Sequence, residues 1–441
     1  MRMSCLRECR RLDYRRLRLS VGAVAWSVAI SLTGGEAMVT RDETISRNGS
    51  TRATAYAMSC KVITAGNTTF VAWLDHVADI QVRSLNRETG VWSETVLVGK
   101  GVDNHSGPAI TMDSRGHLHI VYGPHHGPFN FQTTQRPHDV SAWSPVEEVG
   151  VFATYPSLVC GPDDTLHLTY RGGDMPRRLM YQRRPKGGNW SDPVEVVDSK
   201  APSGYTQYGN ALAVDAANTL HLVFHIYDRH PAGGKAAGYL TSTDAGRTWQ
   251  TAEGVRVALP ATPGTPCFFA QSPELDMRTS NVALSPQGRP FVFTSHLKQR
   301  PPGATLWSHD GTAWRRRDLL PEISKAFPER AVAMHGTLTF DTSGRLYLAI
   351  VTGSPSGGGW GSPSWEAALL VSDDQGQTFE TCALADANPQ VPAWLLNVER
   401  PYSHRPIDTP MLLYTRGGPG KGCTGGDCTT VHAVTLRDPE E

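Results

Sequence analysis

Histidine side chains cluster beside one predicted β-hairpin, where imidazole groups can donate or accept a proton in a reaction. The hairpin, residues 107–122, turns at Gly116, a residue that readily adopts the positive φ of a tight turn. His105 precedes the hairpin, and His125 and His126 follow it. Because the two strands are antiparallel, all three imidazoles are predicted to lie at the same edge.

The same hairpin recurs along the chain, and its other copies carry further reactive side chains at equivalent places. The first strands begin near His105, Tyr155, Tyr208 and His335, and the second strands end near His125, His126, Arg171, His225 and His296. A single polar residue at a strand end is most often a solvated or hydrogen-bonded side chain. Because such residues recur at equivalent places in several repeats, we instead predict a binding site. If the first strands of the repeats line a central channel, this site lies at one mouth of the channel.

Each repeat contains an apolar strand, a turn with Asp and Gly, two further strands and a closing aromatic residue. These aromatic residues are Trp92, Trp143, Trp190, Trp249, Trp314 and Phe379, at intervals of 51, 47, 59, 65 and 65 residues. Such a period is typical of a β-propeller. A seventh unit fits residues 397–437, with a strand from residues 41–60 closing the ring. We therefore predict an all-β fold, a seven-bladed β-propeller with four-stranded antiparallel blades.

Two turns and one loop have distinct sequence patterns. Residues 242–249 and 372–379 read Ser-x-Asp-x-Gly-x-Thr followed by Trp or Phe, and resemble the Asp-box of sialidase-type propellers. We interpret these Asp residues as structural, because Asp caps its own turn through local hydrogen bonds. The Gly- and Ser-rich loop 350–365, which carries Trp360 and Trp365, is interpreted as a surface excursion, the alternative being a border of the cleft.

The formal net charge is zero, but residues 1–37 hold seven Arg and three acidic residues. The excess of 7 − 3 = 4 leaves −4 for the rest of the chain, so no basic surface for nucleic acid or an anionic membrane is expected. Basic residues followed by an apolar run and small residues predict a signal peptide at 1–37. We expect a secreted or periplasmic protein with a single propeller domain, 38–441, that does not stay in a membrane after signal cleavage.

The cysteine spacing indicates one disulfide and no zinc finger. Cys423 and Cys428 enclose a short Gly-rich loop and are predicted to pair in an oxidising compartment. The other cysteines after the signal peptide are expected to be buried as small apolar side chains; they are Cys60, Cys160, Cys267 and Cys382. A mixed metal site formed by His225, His230 and Cys267 is the alternative, and a structural zinc or calcium ion stays open.

Residues 103–190 resemble the BNR-repeat propellers that include the ulvan lyases, which cleave a sulfated algal polysaccharide at its uronic acid. The resemblance depends on the motifs Asp103-Asn-His105, His125-His126-Gly-Pro-Phe129, Thr154-Tyr155-Pro156 and Tyr170-Arg171-Gly-Gly. The family uses two His about twenty residues apart, a Tyr, and an Arg about sixteen residues after that Tyr. Here 125 − 105 = 20 and 171 − 155 = 16. The chain departs from the usual Asp-His-Asn by reading Asn104-His105-Ser106.

The resemblance implies a polysaccharide lyase acting by β-elimination on an anionic polysaccharide or oligosaccharide. Its catalytic residues would be His105, Tyr155, Arg171 and His125, and its substrate-binding residues His126, Tyr208, His225 and Asn104. Arg171 would neutralise the uronate carboxylate, while His105 and Tyr155 would act as base and acid. No cofactor or catalytic metal is required by this scheme, and a monomer is expected.

Four other functions are possible on the same scaffold, and the sequence disfavours some of them. A sialidase would need three Arg on the substrate carboxylate, for which Arg171, Arg278 and Arg400 are available, but the Phe-Arg-Ile-Pro motif is absent. A glycosidase with two catalytic carboxylates is disfavoured, since Asp and Glu are sparse at the aligned positions. A His-dependent glycosidase acting on rhamnose–glucuronate, or a non-catalytic glycan-binding propeller, would share this fold.

Overall fold

The computed structural model describes residues 38–123, 125–200, 206–228, 235–271, 277–297, 302–385, 388, 390–418 and 429–436. The predicted signal peptide, the predicted Cys423–Cys428 disulfide and His230 lie outside these ranges. Ala37–Glu441 cluster as one compact unit. Within the described ranges, no helix has the length and apolar character needed to cross a bilayer.

The first group of strands is antiparallel and centres on a buried strand, β3. The strands are β1 (Val39–Gly49), β2 (Val62–Ala65), β3 (Thr68–Asp75), β4 (Asp79–Asn86), β5 (Val91–Trp92) and β6 (Val96–Lys100). β2 pairs with β3 and β3 with β4, while β5 and β6 both pair with β4. Seven of the eight residues of β3 are buried, as expected for a strand covered on both faces.

The second sheet has eight strands and carries most of the predicted site. Its strands are β7 (Ala109–Met112), β8 (Leu118–Tyr122), β9 (Gly127–Arg136), β10 (Asp139–Trp143), β11 (Glu147–Cys160), β12 (Leu166–Gly172), β13 (Arg178–Arg184) and β14 (Val194–Val197). β7 and β8 form the predicted hairpin, in which Gly116 has φ +88°. The long strand β11 pairs with β9 through its first half and with β12 through its second half.

Two further sheets follow in chain order. The six-stranded sheet comprises β15 (Thr206–Val214), β16 (Leu220–Asp228), β17 (Lys235–Ser242), β18 (Trp249–Gln250), β19 (Arg256–Val257) and β20 (Phe268–Gln271). The four-stranded sheet comprises β21 (Met277–Leu284), β22 (Pro290–His296), β23 (Gly303–His309) and β24 (Trp314–Asp318). The pairings named for these sheets are all antiparallel.

The last part of the chain completes the fold by pairing with its beginning. It contains α1 (Leu320–Ala326), β25 (Ala331–Val332), β26 (Thr337–Phe340), β27 (Leu346–Gly353), β28 (Glu366–Ser372), β29 (Glu380–Ala383), β30 (Ala393–Val398), β31 (Met411–Arg416) and β32 (Thr429–Leu436). β25, β26 and β28 pair with β27, and β29 pairs with β28. β30, β31 and β32 pair in succession, and β32 pairs with β1. The C-terminal strand β32 thus pairs with an N-terminal strand, as predicted for residues 41–60.

The two Asp-box turns have the predicted structural role. In the first, Asp244 accepts hydrogen bonds from the backbone N–H and the hydroxyl of Thr248, at 2.8 and 2.7 Å. Ser242 accepts the Gly246 backbone N–H at 2.8 Å, and Trp249 is buried against the edge of Tyr181. Asp374 makes the same bonds in the second turn. Both aspartates therefore stabilise their turns, and their carboxylates are occupied by these local hydrogen bonds.

Histidines within the strands also serve the fold. His167 lies 2.7 Å from the Tyr181 hydroxyl, and His221 lies 2.5 Å from that of Tyr239. Both imidazoles are buried, so these contacts satisfy polar groups that burial would otherwise leave without partners.

The cysteines differ slightly from expectation: Cys60, Cys160 and Cys267 are buried and unpaired, but Cys382 is partly exposed.

Candidate active site

Asp103 holds two of the predicted catalytic histidines. Its Oδ1 accepts the backbone N–H of His105 at 2.8 Å, which folds the loop before β7 into a tight turn. The same carboxylate lies 3.3 Å from His105 Nδ1, and its Oδ2 lies 2.9 Å from His125 Nδ1. One carboxylate therefore contacts an imidazole from each side of the β7–β8 hairpin.

The three imidazoles form a continuous stack. The ring centroids of His105 and His125 are 4.2 Å apart, and those of His125 and His126 are 3.9 Å apart. Adjacent residues can stack in this way because His126 has φ +68°, a left-handed conformation that reverses the chain direction. His125 is thus the inner of the two neighbours, while His126 lies on the exposed side.

Tyr155 reaches the site from an irregularity in β11. Its φ is +61°, and the β11–β12 register shifts between Thr154 and Ser157. Such a bulge redirects a side chain relative to the regular alternation of a strand. The buried Tyr155 ring meets the edge of Tyr56 at a centroid distance of 4.8 Å, and Tyr56 in turn stacks with His105 at 6.3 Å.

Arg171, on β12, lies beside Tyr155. Its guanidinium carbon is 5.6 Å from the Tyr155 ring centroid, and the residue is almost fully buried. Its positive charge also contributes to lowering the pKa of His126, which places it within electrostatic range of the imidazole stack. The side chains therefore follow one another in the order Arg171, Tyr155, Tyr56, His105, His125 and His126, with Arg171 in electrostatic range of His126, and this set is called the circle below.

The environment fixes the charge of several groups in this circle. Burial, followed by the nearby positive charge of Arg52, lowers the pKa of His105 to about 4. Partial loss of solvent around the His126 ring, followed by the charges of His125 and Arg171, lowers the pKa of this otherwise exposed residue to about 4. For Asp103, burial raises the pKa, but hydrogen bonds from His105 and His125 outweigh it and lower the pKa overall. At neutral pH, Asp103 is ionised and both of these imidazoles are neutral.

The described residues also contain a group of side chains that could hold a metal ion. The ligand atoms of Asp103, His105 and His125 lie within 4.8 Å of one another. Two imidazole nitrogens and a carboxylate oxygen suit a first-row divalent ion. The metal site considered from the sequence, formed by His225, His230 and Cys267, depends on His230, which lies outside the described ranges.

The other predicted substrate-binding residues lie at different depths. Asn104 donates from Nδ2 to Thr51 Oγ1 at 2.8 Å and so anchors its loop. Tyr208 is fully buried, its hydroxyl accepts the Ser199 backbone N–H at 2.9 Å, and burial raises its pKa to about 12. The structure therefore does not bring Tyr208 to the circle. His225 is buried at a neighbouring cavity that Tyr56 also lines.

Sequence reasoning gave no role to four residues at the site. Arg52 donates from Nη1 to the Tyr56 hydroxyl at 2.6 Å, and its guanidinium carbon lies 5.1 Å from the Trp360 ring centroid. Arg177 lies near Arg171: burial lowers the pKa of Arg177, and the positive charge of Arg171 lowers it further. Arg52 and Tyr56 follow β1, outside any hairpin repeat, so the repeat pattern offered no signal for them. Asp103 had one signal, its position two residues before His105.

Comparison with known proteins agrees with this fold. Residues 68–320, more than half of the chain, match the profile of the BNR repeat-containing family. An ulvan lyase, PL25, of Pseudoalteromonas sp. (strain PLSV) is 24% identical over 272 residues, which cover 51% of this chain and 55% of that protein. An ulvan lyase of Nonlabens ulvanivorans is 27% identical over 159 residues, covering 30% and 34%. The chain thus spans about half or less of the length of these relatives.

A solved structure of a PL25 ulvan lyase bound to -[GlcA(1-4)Rha3S]- superposes with a TM-score of 0.69. The superposition covers 91% of this chain and 98% of that chain at 15% identity, which shows a shared fold. The profile match over residues 68–320 settles the relationship by sequence: the chain belongs to the BNR repeat-containing family.

Proposed function

We propose that this protein is a polysaccharide lyase that cleaves an ulvan-like, uronate-containing glycan by β-elimination. The observation that carries the proposal is the circle in which Arg171 lies beside Tyr155 and a neutral His105 is held by Asp103. Relatives that cover half of this chain are named ulvan lyases, and a structure with the same fold binds a glucuronate–rhamnose glycan. The substrate class is therefore an anionic polysaccharide or oligosaccharide.

Arg171 supplies the positive charge that elimination requires. The C5 proton of a uronate is very weakly acidic while the adjacent carboxylate is ionised and uncompensated. A guanidinium group can bind a carboxylate through two parallel N–H···O bonds and stabilise the charge that develops on its oxygens in the enolate-like transition state. Since Arg171 is almost fully buried, this charge acts in a medium of low dielectric, where it is strongest.

His105 and Tyr155 form the proposed base and acid. The negative charge of the Asp103 carboxylate, 3.3 Å from His105 Nδ1, favours the tautomer of His105 with the proton on Nδ1 and a lone pair on Nε2. His105 Nε2 takes the C5 proton, the C5–H electrons form the C4–C5 double bond, and the C4–O4 bond breaks. Tyr155 donates its proton to O4, and exchange with water restores both residues. His125 is hydrogen-bonded to the same Asp103 carboxylate and helps to orient the acid–base pair formed by His105 and Tyr155.

The scheme uses no metal ion or cofactor, because Arg171 performs the role that a Lewis acid would have. The hydrolase alternatives have less support. Arg400 donates to the backbone carbonyls of Met58 and Ala57, so it serves the fold and is a poor third member of a sialidase Arg cluster. Asp103 is the carboxylate of the circle, whereas a two-carboxylate glycosidase needs a second one.

A seven-bladed propeller is the architecture that fits this function. The nine-stranded sheet divides into one unit of four strands and one of five, and the eight-stranded sheet into two units of four, which with the three smaller sheets makes seven units. Neighbouring contacts link β2, β7, β11, β15, β21, β26 and β30 in succession, and β31 contacts β2. This circular order supports a closed ring. The predicted signal peptide, and action as an exported monomer, belong to the same proposal, since a polysaccharide chain is met outside the cell.

The proposal is tested by incubating the purified protein with a panel of uronate polysaccharides while recording two signals. A lyase produces a rise in the ultraviolet absorbance of the conjugated C4–C5 double bond together with new reducing ends. A hydrolase produces reducing ends without that absorbance, and a glycan-binding propeller produces neither signal. We expect both signals; reducing ends alone would assign the protein to the hydrolases.

A further inference from the structure

Tyr155 has a backbone conformation that regular strand pairing does not supply. Its φ is +61°, in the left-handed region, and the β11–β12 pairing is irregular between Thr154 and Ser157. A tyrosine is destabilised in this region because its Cβ crowds the backbone, so the conformation persists only where surrounding contacts impose it. The groups that make those contacts are therefore candidates for residues that position the proposed acid.

Two successive backbone carbonyls at this irregularity accept hydrogen bonds from side chains that lie far away in the sequence. The carbonyl of Tyr155 accepts Asn210 Nδ2, from β15, at 3.2 Å. The carbonyl of Pro156 accepts the hydroxyl of Ser59, from the segment between β1 and β2, at 2.6 Å. Asn210 and Ser59 are both buried, so water does not compete for these bonds. The backbone that follows the Tyr155 side chain is thus held from two directions.

The two donors are themselves fixed by further hydrogen bonds. Asn210 Oδ1 accepts the Thr169 hydroxyl at 2.6 Å, which leaves Nδ2 directed at the carbonyl on β11. The backbone N–H of Ser59 donates to the Tyr56 carbonyl at 3.1 Å, and the Ser59 carbonyl accepts Asn397 Nδ2 at 2.8 Å. Because both donors are held in place, they can impose a conformation on the strand that they contact.

The turn that carries Ser59 also contacts the proposed base. Its first residue, Tyr56, stacks with His105 at a centroid distance of 6.3 Å and meets the edge of the Tyr155 ring at 4.8 Å. Its last residue, Ser59, bonds to the carbonyl directly after Tyr155. One buried turn therefore contacts the base through a ring, and the acid through that ring and through the backbone.

A buried hydroxyl that donates to a backbone carbonyl is most often a purely structural contact, and this chain has other examples. Ser50 donates to the Val77 carbonyl at 3.0 Å, and Thr54 donates to the Leu395 carbonyl at 2.6 Å. Neither of these carbonyls adjoins a residue of the circle. The bond from Ser59 differs because its acceptor directly follows Tyr155, where the backbone is left-handed.

We propose that Ser59 and Asn210 are positioning residues for Tyr155 in the elimination reaction. The inference rests on the proposed lyase function and adds the residues that hold the acid where proton transfer to O4 requires it. Ser59 is buried and acts through the backbone of β11 without touching the substrate. Proton transfer depends steeply on geometry, and a misplacement of about 1 Å can cost about 10²-fold in rate. Loss of either donor therefore lowers the rate of the chemical step.

The test is a double-mutant cycle that combines Ser59→Ala with Tyr155→Phe and follows the initial rate of double-bond formation. Alone, Ser59→Ala should lower kcat by roughly 10–10²-fold with little change in KM. In the Tyr155→Phe background the same change should lower kcat by less than about twofold, because the acid that Ser59 positions is already absent. A purely structural role would give equal factors in both backgrounds. That result, or a native kcat in Ser59→Ala, would overturn the positioning role.

Ser50→Ala is the matched control, since it removes a buried hydroxyl that donates to a carbonyl away from the circle, and its kcat should equal that of wild type. Thermal unfolding reports whether each variant is folded. If Ser59→Ala lacks a cooperative transition, Asn210→Ala takes its place in the cycle with the same expected and overturning results. Wild type that forms no unsaturated product would overturn the lyase proposal and this inference with it. Equal factors with an active wild type would overturn this inference alone.

Discussion

Oδ2 of Asp103 lies 2.9 Å from Nδ1 of His125, while the other oxygen of the same carboxylate lies 3.3 Å from Nδ1 of His105. A carboxylate that contacts two imidazoles can orient both, and it directs the remaining nitrogen of each away from itself. In this protein that arrangement makes Asp103 a positioning residue for the proposed base.

Asp103→Asn should therefore lower kcat with little change in KM. The amide loses the negative charge and can present an N–H to one of the imidazoles, which favours the wrong tautomer; comparable carboxylate-to-amide changes in catalytic triads cost up to about 10⁴-fold. We expect a loss of roughly 10²–10⁴-fold, measured as the initial rate of double-bond formation. Asp139→Asn, at a surface ion pair with Arg136, is the control. Near-native kcat in Asp103→Asn would remove the positioning role.

The acid limb of the pH–rate profile should lie near pH 4. His105 must be unprotonated to accept the C5 proton, and its pKa is about 4, so kcat/KM should fall only as the pH drops towards that value. Arg52 contributes to this low pKa by its charge, after burial. Arg52→Met should therefore move the acid limb to higher pH. An acid limb that stays in place in Arg52→Met, or one near pH 6.5 in wild type, would argue against His105 as the base.

Two tyrosine-to-phenylalanine changes should have opposite consequences. Tyr155→Phe removes the proposed acid and should lower the elimination rate by roughly 10²–10⁴-fold, while the thermal unfolding temperature stays close to that of wild type. Tyr208→Phe removes the hydroxyl that accepts the Ser199 backbone N–H, so it should reduce the free energy of unfolding by about 1 kcal/mol. Its turnover should not change. The reverse pattern would mean that Tyr208 is the tyrosine at the reaction centre.

Stability should fall between about pH 6.5 and pH 4 because of the buried histidines. Burial lowers the pKa of His167 to about 4, whereas an unfolded histidine titrates near 6.5, so the unfolded state takes up the proton first as the pH falls. The stabilisation is present above pH 6.5 and is lost as the pH drops through 4. Denaturant unfolding at several pH values measures it, and His167→Gln should flatten the dependence by roughly 3 kcal/mol. An unchanged slope in that variant would contradict the assignment.

The repeat pattern predicted the hairpins and the site residues that belong to them. His105, His125, Tyr155 and Arg171 are all found by their positions beside strands of the second sheet, because antiparallel strands bring the start of one and the end of the next to the same edge. The Asp-box turns were predictable for a similar reason: their structure depends on hydrogen bonds within a few residues.

Tyr208 shows where alignment by position fails. Tyr155 and Tyr208 both stand near the start of a first strand, but Tyr155 follows a register shift and has φ +61°, whereas β15 pairs with β16 without interruption. A shift of one residue exchanges the two faces of a strand, so the two tyrosines point into different surroundings. Hydropathy patterns do not report such a bulge.

Arg52 and Tyr56 could not be predicted as site residues because they come from a segment outside the hairpin repeat, and for Trp360 a place at the cleft was only the alternative interpretation. They reach the site through tertiary packing: Arg52 lies between Tyr56 and Trp360, which are far apart in the sequence. The sequence contains no spacing that links residues 52–56 with residue 360.

The measurement that tests the central claim most directly is the mass of the products released from a glucuronate–rhamnose polysaccharide by wild type and by Arg171→Ala. Elimination adds no water, so wild type should release oligosaccharides that are lighter by one water than the hydrolysis products and that carry the double bond. Arg171→Ala should fold normally and release roughly 10²–10³-fold less of them, the usual cost of losing one group that stabilises a developing oxyanion. Products of hydrolytic mass from wild type, or near-native yield from Arg171→Ala, would contradict the proposed mechanism.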